Sequence, residues 1–395
     1  MRSFLDLGVS APVCAALAKG NIHAPFAIQD LVLPDALQGR DVLAKSRTGS
    51  GKTLAFAIPI AERLSPSDDR PSALVLVPTR ELAVQVTEDL APVAAARGLR
   101  VAAVYGGVSI RDQADRAKKA HVLIATPGRL QDVADRRMVS LRGIKILVLD
   151  EADRMLDMGF QPQVDRIVDL LPAQRQTMFF SATLDGLVGH LARAYTRDAV
   201  AHSIETPKET VDEADHRFIQ VTAHDRVDKL VELLGSERGL ALVFVRTKRG
   251  ADRLAHKLKS KGLDATPMHG DLTQQARQRA LQRFESGKTR VLIATDVAAR
   301  GLDLDDITLV INFDAPEDDK GYVHRVGRTA RAGRSGTSVT FVMPDQQIDV
   351  SRMASRLSLG GEFEESGMTV APARIVFASH KGRKSSMRPR SKRRF

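Results

Sequence analysis

The chain lacks several things that would have pointed elsewhere. It has one cysteine, Cys14, and no tryptophan. A single thiol excludes an internal disulfide framework and any metal centre built from cysteines. The ten histidines include no His-x-x-x-His pair beside a carboxylate, so the common zinc pattern is missing too. Aromatics make up 4% of residues, with three tyrosines, which leaves few platforms for stacking nucleobases. No apolar run exceeds eight residues, as in Leu54 to Ala61, against the roughly 18 of a membrane-spanning helix. The opening Met1-Arg2-Ser3-Phe4-Leu5-Asp6 carries an acid where a signal peptide needs its apolar stretch. The expectation is a cytoplasmic protein with no membrane partner and no structural metal.

What is present suits a globular protein. The 395 residues are 43% apolar and 27% charged, and that length allows about two to four domains. Lys and Arg total 59 against 48 acids, a net charge of +11. Eight of the positive charges, and no acid, lie between Lys381 and Phe395, so residues 1–380 carry only +3. Such a tail can hold a polyanion through its phosphate backbone without reading sequence.

Short apolar runs recur at Ala73–Val77, Val122–Ala125 and Ile146–Leu149, then at Ala241–Val245, Val291–Ala294 and Thr308–Ile311. They are separated by amphipathic stretches of helix length, the pattern of buried parallel strands with crossover helices. Val-Leu-Ile-Ala followed by threonine occurs in both halves, ending at Thr126 and Thr295, which suggests two related α/β domains. The polar segment 203–216 reads as their linker. The expected domains are therefore 1–202 and 217–360, with an extension over 361–395 that ends in the basic, disordered tail.

Between a short strand at Asp41–Ala44 and a helical pattern from Thr53 lies Ser46-Arg-Thr-Gly-Ser-Gly-Lys-Thr53. It fits Gly-x-x-x-x-Gly-Lys-Ser/Thr with Ser46 in place of the first glycine. Gly49 and Gly51 let the backbone of Ser46, Thr48 and Ser50 curl its N–H groups toward phosphate. The following helix adds the positive end of its dipole. Lys52 is then suited to the β- and γ-phosphates, and the Thr53 hydroxyl to Mg²⁺. A second group agrees. The strand Ile146–Leu149 runs into Asp150-Glu151-Ala152-Asp153, where Asp150 can hold Mg²⁺ and Glu151 can orient or deprotonate an attacking water.

Together with further motifs, these residues resemble the DEAD-box family of ATP-dependent RNA helicases over roughly Phe4 to Met343. The motifs are Pro78-Thr-Arg-Glu-Leu82, Gly106-Gly107, Thr126-Pro-Gly-Arg129, Ser181-Ala-Thr183, His269-Gly-Asp271, Gln274-x-x-Arg277, Ala294-Thr-Asp-Val-Ala-Ala-Arg-Gly-Leu-Asp303 and His324-Arg-Val-Gly-Arg-Thr-Ala-Arg331. The resemblance implies two tandem RecA-like domains on a flexible linker. It implies ATP and Mg²⁺ in the cleft between them, and RNA held mainly by sequence-independent backbone contacts.

The resemblance also assigns roles. Gln29, in Pro25-Phe-Ala-Ile-Gln29, would read adenine, with Phe4 and Ile22 packing near the base and Asp303 on the ribose. Phe26 and Ala27 stand where the family usually has threonine and proline. Arg328 and Arg331 would be arginine fingers on the γ-phosphate, with Ala330 between them in place of the common glycine. Asp153, Ser181, Thr183, His324 and Arg325 would couple the nucleotide to closure. Thr79, Arg80, Gly107, Thr126 and Arg129 in the first half, and Gly270, Thr295 and Arg300 in the second, would contact RNA. The implied activity is local unwinding or remodelling of RNA duplexes and RNA–protein complexes by a monomer, with ribonucleoprotein or RNA-decay assemblies as fitting partners. The competing reading is an ATP-gated RNA clamp or annealing chaperone; a DNA translocase fits the motif set less well.

Overall fold

The computed structural model describes residues 2–46, 50–184, 186–204, 214–299, 304, 306–329 and 336–371. The apolar runs form strands, as their β-branched, two-face-buried composition dictates. In the first lobe they are β1 (Val42–Lys45), β2 (Ala73–Leu76), β4 (Val122–Ala125) and β5 (Ile146–Leu149), joined by three strands the runs did not mark, β3 (Val101–Val104), β6 (Gln176–Ser181) and β7 (Val200–Ser203). They make one sheet in the order β3-β4-β2-β5-β6-β1-β7, every pairing parallel. Along β2, Leu74 and Leu76 face one apolar layer while Ala73 and Val75 face the other. Helices cover both faces, so neither side of the sheet meets water.

The second lobe has β8 (Ala214–Gln220), β9 (Leu240–Phe244), β10 (Ala265–Met268), β11 (Val291–Ala294), β12 (Ile307–Asn312) and β13 (Gly336–Val342). Its order is β10-β11-β9-β12-β13-β8, again all parallel. Without β7, the first sheet has this same order. The two Val-Leu-Ile-Ala runs are β4 and β11, which hold equivalent places. The threonine after each donates its N–H to the last residue of the neighbouring edge strand, Thr126 to Val104 O and Thr295 to Met268 O. The repeated tetrapeptide is thus the trace of a repeated topology.

Two spans differ from expectation at their edges. β7 runs through Ser203, and β8 begins at Ala214, inside the stretch read as linker; residues 205–213 lie outside the described set. β8 is an edge strand buried at alternate residues, so it is too polar to stand out by composition. At the other end, packing continues past residue 360. A helix at Gly360–Glu365 buries Phe363, and with Met368 it joins Phe218 and Tyr322 in an apolar cluster. Residues 372–395, including the basic tail, lie outside the described set. Among the described residues no helix is long and apolar enough to cross a membrane.

Candidate functional site between two sheets

Residues that follow the carboxyl ends of the parallel strands supply most of the candidate site, as open α/β sheets require. After β1, Ser46 donates its N–H to Ser181 O at 3.0 Å, tying the loop to the end of β6. Ser50 Oγ donates to Ser46 Oγ at 3.1 Å. Residues 47–49, and so Thr48 and Gly49, lie outside the described set. Gly51 caps the helix Lys52–Arg63 with φ +83°. That left-handed backbone suits glycine, and a Cβ there would sit 2.6 Å from Gln29 Nε2. Lys52 is buried and donates to Ser46 O at 3.3 Å.

A cavity of about 450 Å³ runs from Ile22, Phe26 and Gln29 at one end to Lys52, Thr53, Asp150 and Glu151 at the other. Gln29 is buried, with its amide already engaged. Oε1 accepts from Phe26 N–H at 2.9 Å, and Nε2 donates to Gly51 O at 2.8 Å. One lone pair and one hydrogen remain for a ligand. Ile22 lines the cavity. Phe4 does not: it lies behind the wall in an apolar cluster with Leu7, Val13, Leu33 and Ile58.

The acids after β5 are nearly sealed from water. Asp150 is pushed up to about 6 by burial, against the pull of Lys52. Burial would raise Glu151 as well, yet Arg154, Lys52 and Arg328 together hold it below the ordinary glutamate value. Arg154 pairs with Glu151 one helical turn along. Glu151 itself has φ +52°, a left-handed backbone that a non-glycine residue seldom adopts. Such strain concentrates where a side chain must be aimed. Ser181 Oγ accepts from both Asp153 N–H and Thr183 N–H, each at 3.3 Å, so the ends of β5 and β6 are hinged on one hydroxyl.

The second lobe brings Arg328, which is buried and close enough to depress Glu151 across the seam. Its Nε donates to His324 O at 3.4 Å. Arg325 is committed inside its own lobe. It forks onto Asp296 at 2.6 and 2.8 Å and also donates to Asn312 Oδ1 and Asp314 O. It therefore braces the helix Asp319–Val326, whose following turn carries Arg328, and among the described residues its hydrogen bonds stay within the second lobe. Arg300, Asp303 and Arg331 lie outside the described residues.

A second groove, about 400 Å³, lies between the lobes. Thr79, Arg80, Thr126 and Arg129 line it from one side and Gly270 from the other. The Arg80 guanidinium lies over Gly107, whose φ is +90° and where a Cβ would be 2.5 Å from Nη1. The Thr79 hydroxyl caps its helix by accepting from Leu82 N–H. Arg129 is steadied by Val108 O and Gln113 Oε1. Thr295 is buried at the end of β11 and does not line this groove.

Sequence reading missed the ion pairs that join the lobes. Arg277 Nε donates to Glu81 Oε1 at 2.7 Å across the lobes, and Lys320 reaches Asp157 at 2.7 Å. Glu81 and Arg277 sit in quoted motifs, but residues 196 apart carry no spacing signal. Phe160 and Met158 on the groove wall were also unassigned.

Comparison with known proteins agrees. Residues 26–188 match the DEAD/DEAH box helicase model and residues 225–333 the helicase conserved C-terminal domain. The ATP-dependent rRNA helicase RRP3 of Yarrowia lipolytica is 44% identical over 86% of this chain and 72% of the relative. The DEAD-box ATP-dependent RNA helicase CshA of Geobacillus kaustophilus is 41% identical over 87% and 74%. Among solved structures, S. cerevisiae Dbp5 bound to RNA and ADP BeF3 superposes with TM-score 0.80, at 32% identity, over 92% of this chain and 94% of that one. A point variant of S. cerevisiae Dbp5 bound to nup159, a gle1 variant, ip6 and ADP gives 0.61, at 31% identity, over 89% and 93%. The architecture is that of tandem RecA-like domains. The chain belongs to the DEAD-box family of ATP-dependent RNA helicases.

Proposed function

We propose that this helicase cuts ATP at the seam of its two lobes and couples closure on single-stranded RNA to local separation of duplexes or remodelling of RNA–protein complexes. The observation that carries the reading is the single cavity lined by Gln29, Lys52, Thr53, Asp150 and Glu151 of the first lobe, with Arg328 of the second lobe buried close enough to act on Glu151. Transferring a phosphoryl group needs charge stabilisation on its far side, and a finger supplied from elsewhere is worth about 10³–10⁵ in rate. Because the finger belongs to the other lobe, hydrolysis waits on closure. One Dbp5 point variant superposes better in its RNA and ADP BeF3 complex, at TM-score 0.80, than with nup159, gle1, ip6 and ADP, at 0.61, which supports reading this lobe arrangement as the closed one.

In this reading Lys52 neutralises the terminal phosphates, and the loop from Ser46 to Gly51 would offer its N–H groups. Thr53 and Asp150 are the oxygen donors suited to Mg²⁺, which would draw charge from the phosphates when bound. Asp150 fits that task because it is a buried carboxylate whose ionisation is poorly compensated. Glu151, kept ionised by Arg154, aims at the attacking water. Arg331 and Asp303 join the site in the same proposal, on the finger and the ribose. Ser181 relays nucleotide state between Asp153 and Thr183. In the groove Arg80 and Arg129 fork onto phosphates, with Thr79, Thr126, Gly107 and Gly270 completing a track that reads backbone in preference to bases, and Thr295 and Arg300 extend it beyond the groove in the same proposal. A cytoplasmic monomer acting on RNA or ribonucleoprotein completes the proposal.

The test is RNA-stimulated ATP turnover and duplex separation by Lys52→Ala and Glu151→Gln, with RNA affinity measured alongside. Both activities should fall by at least about 10² while RNA binding without nucleotide persists. Full turnover in either variant overturns the site. Duplex separation that survives Glu151→Gln without ATP would favour the clamp or annealing reading.

A further inference from the structure

The rim of the nucleotide cavity carries an aromatic ring that the motif pattern does not call for. Phe26 is 60% exposed, although it lines the cavity beside Ile22, Gln29 and Gly51. Its backbone is fixed: its N–H donates to Gln29 Oε1 at 2.9 Å, and its carbonyl accepts from Asp30 N–H at 2.9 Å. Its ring edge rests over Gly51, close enough that a Cβ there would collide with Cδ2. The ring therefore spans the join between the base end of the cavity and the phosphate loop, with one face open.

Gln29 beside it has already spent half its amide capacity on Phe26 and Gly51. A base held by Gln29 alone would gain little more than one pair of hydrogen bonds, each exchanged against water. We infer that Phe26 is a nucleotide-contact residue, its open face packing against the base or ribose and supplying affinity that Gln29 does not. The inference deepens the proposed ATP site and rests on it. Stacking on an aromatic face tolerates any base, since every base has a π-face. Phe26 therefore raises affinity for nucleotides generally, while selection of adenine stays with Gln29.

The experiment titrates the full chain with a fluorescent ADP and measures ATP and GTP turnover in wild type, Phe26→Thr, Phe26→Tyr and Phe26→Leu. Inorganic tripolyphosphate, which has no base, serves as a competitor. Phe26→Thr should weaken ADP binding by roughly tenfold and raise KM for ATP by a similar factor, with kcat unchanged. Preference for ATP over GTP and inhibition by tripolyphosphate should not change, and Phe26→Tyr should restore binding. ADP affinity within twofold of wild type in Phe26→Thr would overturn the inference. So would tripolyphosphate affinity falling in parallel, or full rescue by Phe26→Leu, because either would mean that the ring only props up the loop. A wild type that binds no nucleotide at all would overturn the ATP site itself, a separable result.

Discussion

Glu81 and Arg277 meet across the two lobes at 2.7 Å, their side chains 11% and 9% exposed. Arg277 also donates through Nη1 to His269 O, so the guanidinium is held by its own lobe while it reaches the other. Both residues line the groove assigned to RNA.

Breaking this pair should penalise the closed state alone. Glu81→Gln or Arg277→Met leaves one buried charge unpartnered, a cost of about 2–4 kcal/mol, or roughly 30- to 800-fold in ATP-dependent RNA affinity. The double variant should lose less than the two singles combined. A double-mutant cycle on RNA binding with a nonhydrolysable ATP analogue measures the coupling, and additive losses would show that the pair is not coupled.

Lys320 and Asp157 also span the lobes, but at 44% and 31% exposure. Solvent screening leaves such a pair about 0–1 kcal/mol. Lys320→Ala should therefore change ATP-dependent RNA affinity by less than about fivefold and should weaken with added salt.

Asp150 yields a stability prediction. Its folded pKa, raised by burial from 3.8 to about 6, means that ionising it costs stability. The cost sets in as pH rises from about 4 to about 6 and is complete above that. It amounts to at most about 3 kcal/mol, and Asp150→Asn removes it. The variant should melt at higher temperature than wild type at pH 7.5, with the gain shrinking toward pH 4, while ATP turnover is lost. Thermal scans across pH check this.

Arg154 acts in the opposite direction on Glu151. Burial raises that carboxyl, but Arg154 is the largest influence lowering it, and the net shift is downward. A depressed carboxylate adds stability that is present above its unfolded pKa and lost as pH falls through the folded one. Arg154→Gln should carry the acid limb of the kcat/KM profile to higher pH, and Arg154→Lys should restore it. An unmoved profile would assign Arg154 to packing only.

Much of the fold was legible because the buried strands are four to six residues of unbroken apolar character. β4 and β11 even share a tetrapeptide, and the structure gives them equivalent places. β3, β6, β7, β8, β10 and β13 were not read as strands: polar residues interrupt β6 and β13, and the edge strands β7 and β8 are largely exposed at alternate positions. The helix at Gly360–Glu365 was missed because Phe363 alone carries its packing. At the site, Lys52, Thr53, Asp150 and Glu151 line one cavity as their motifs implied. Chain spacing could not reveal that Phe4 lies behind the wall, that Arg325 is spent within its own lobe, or that Glu81 meets Arg277. The first two depend on packing within one lobe, and the third on how two separately folded sheets face each other.

The central claim is that the second lobe completes the hydrolytic site of the first. A crystal structure of the full chain with ADP–beryllium fluoride and oligouridine tests it most directly. The account expects the Arg328 guanidinium within hydrogen-bond reach of the fluorides, Glu151 on the water opposite, and Glu81 still paired to Arg277. Lobes closed on RNA with Arg328 remote from the beryllium centre would contradict it.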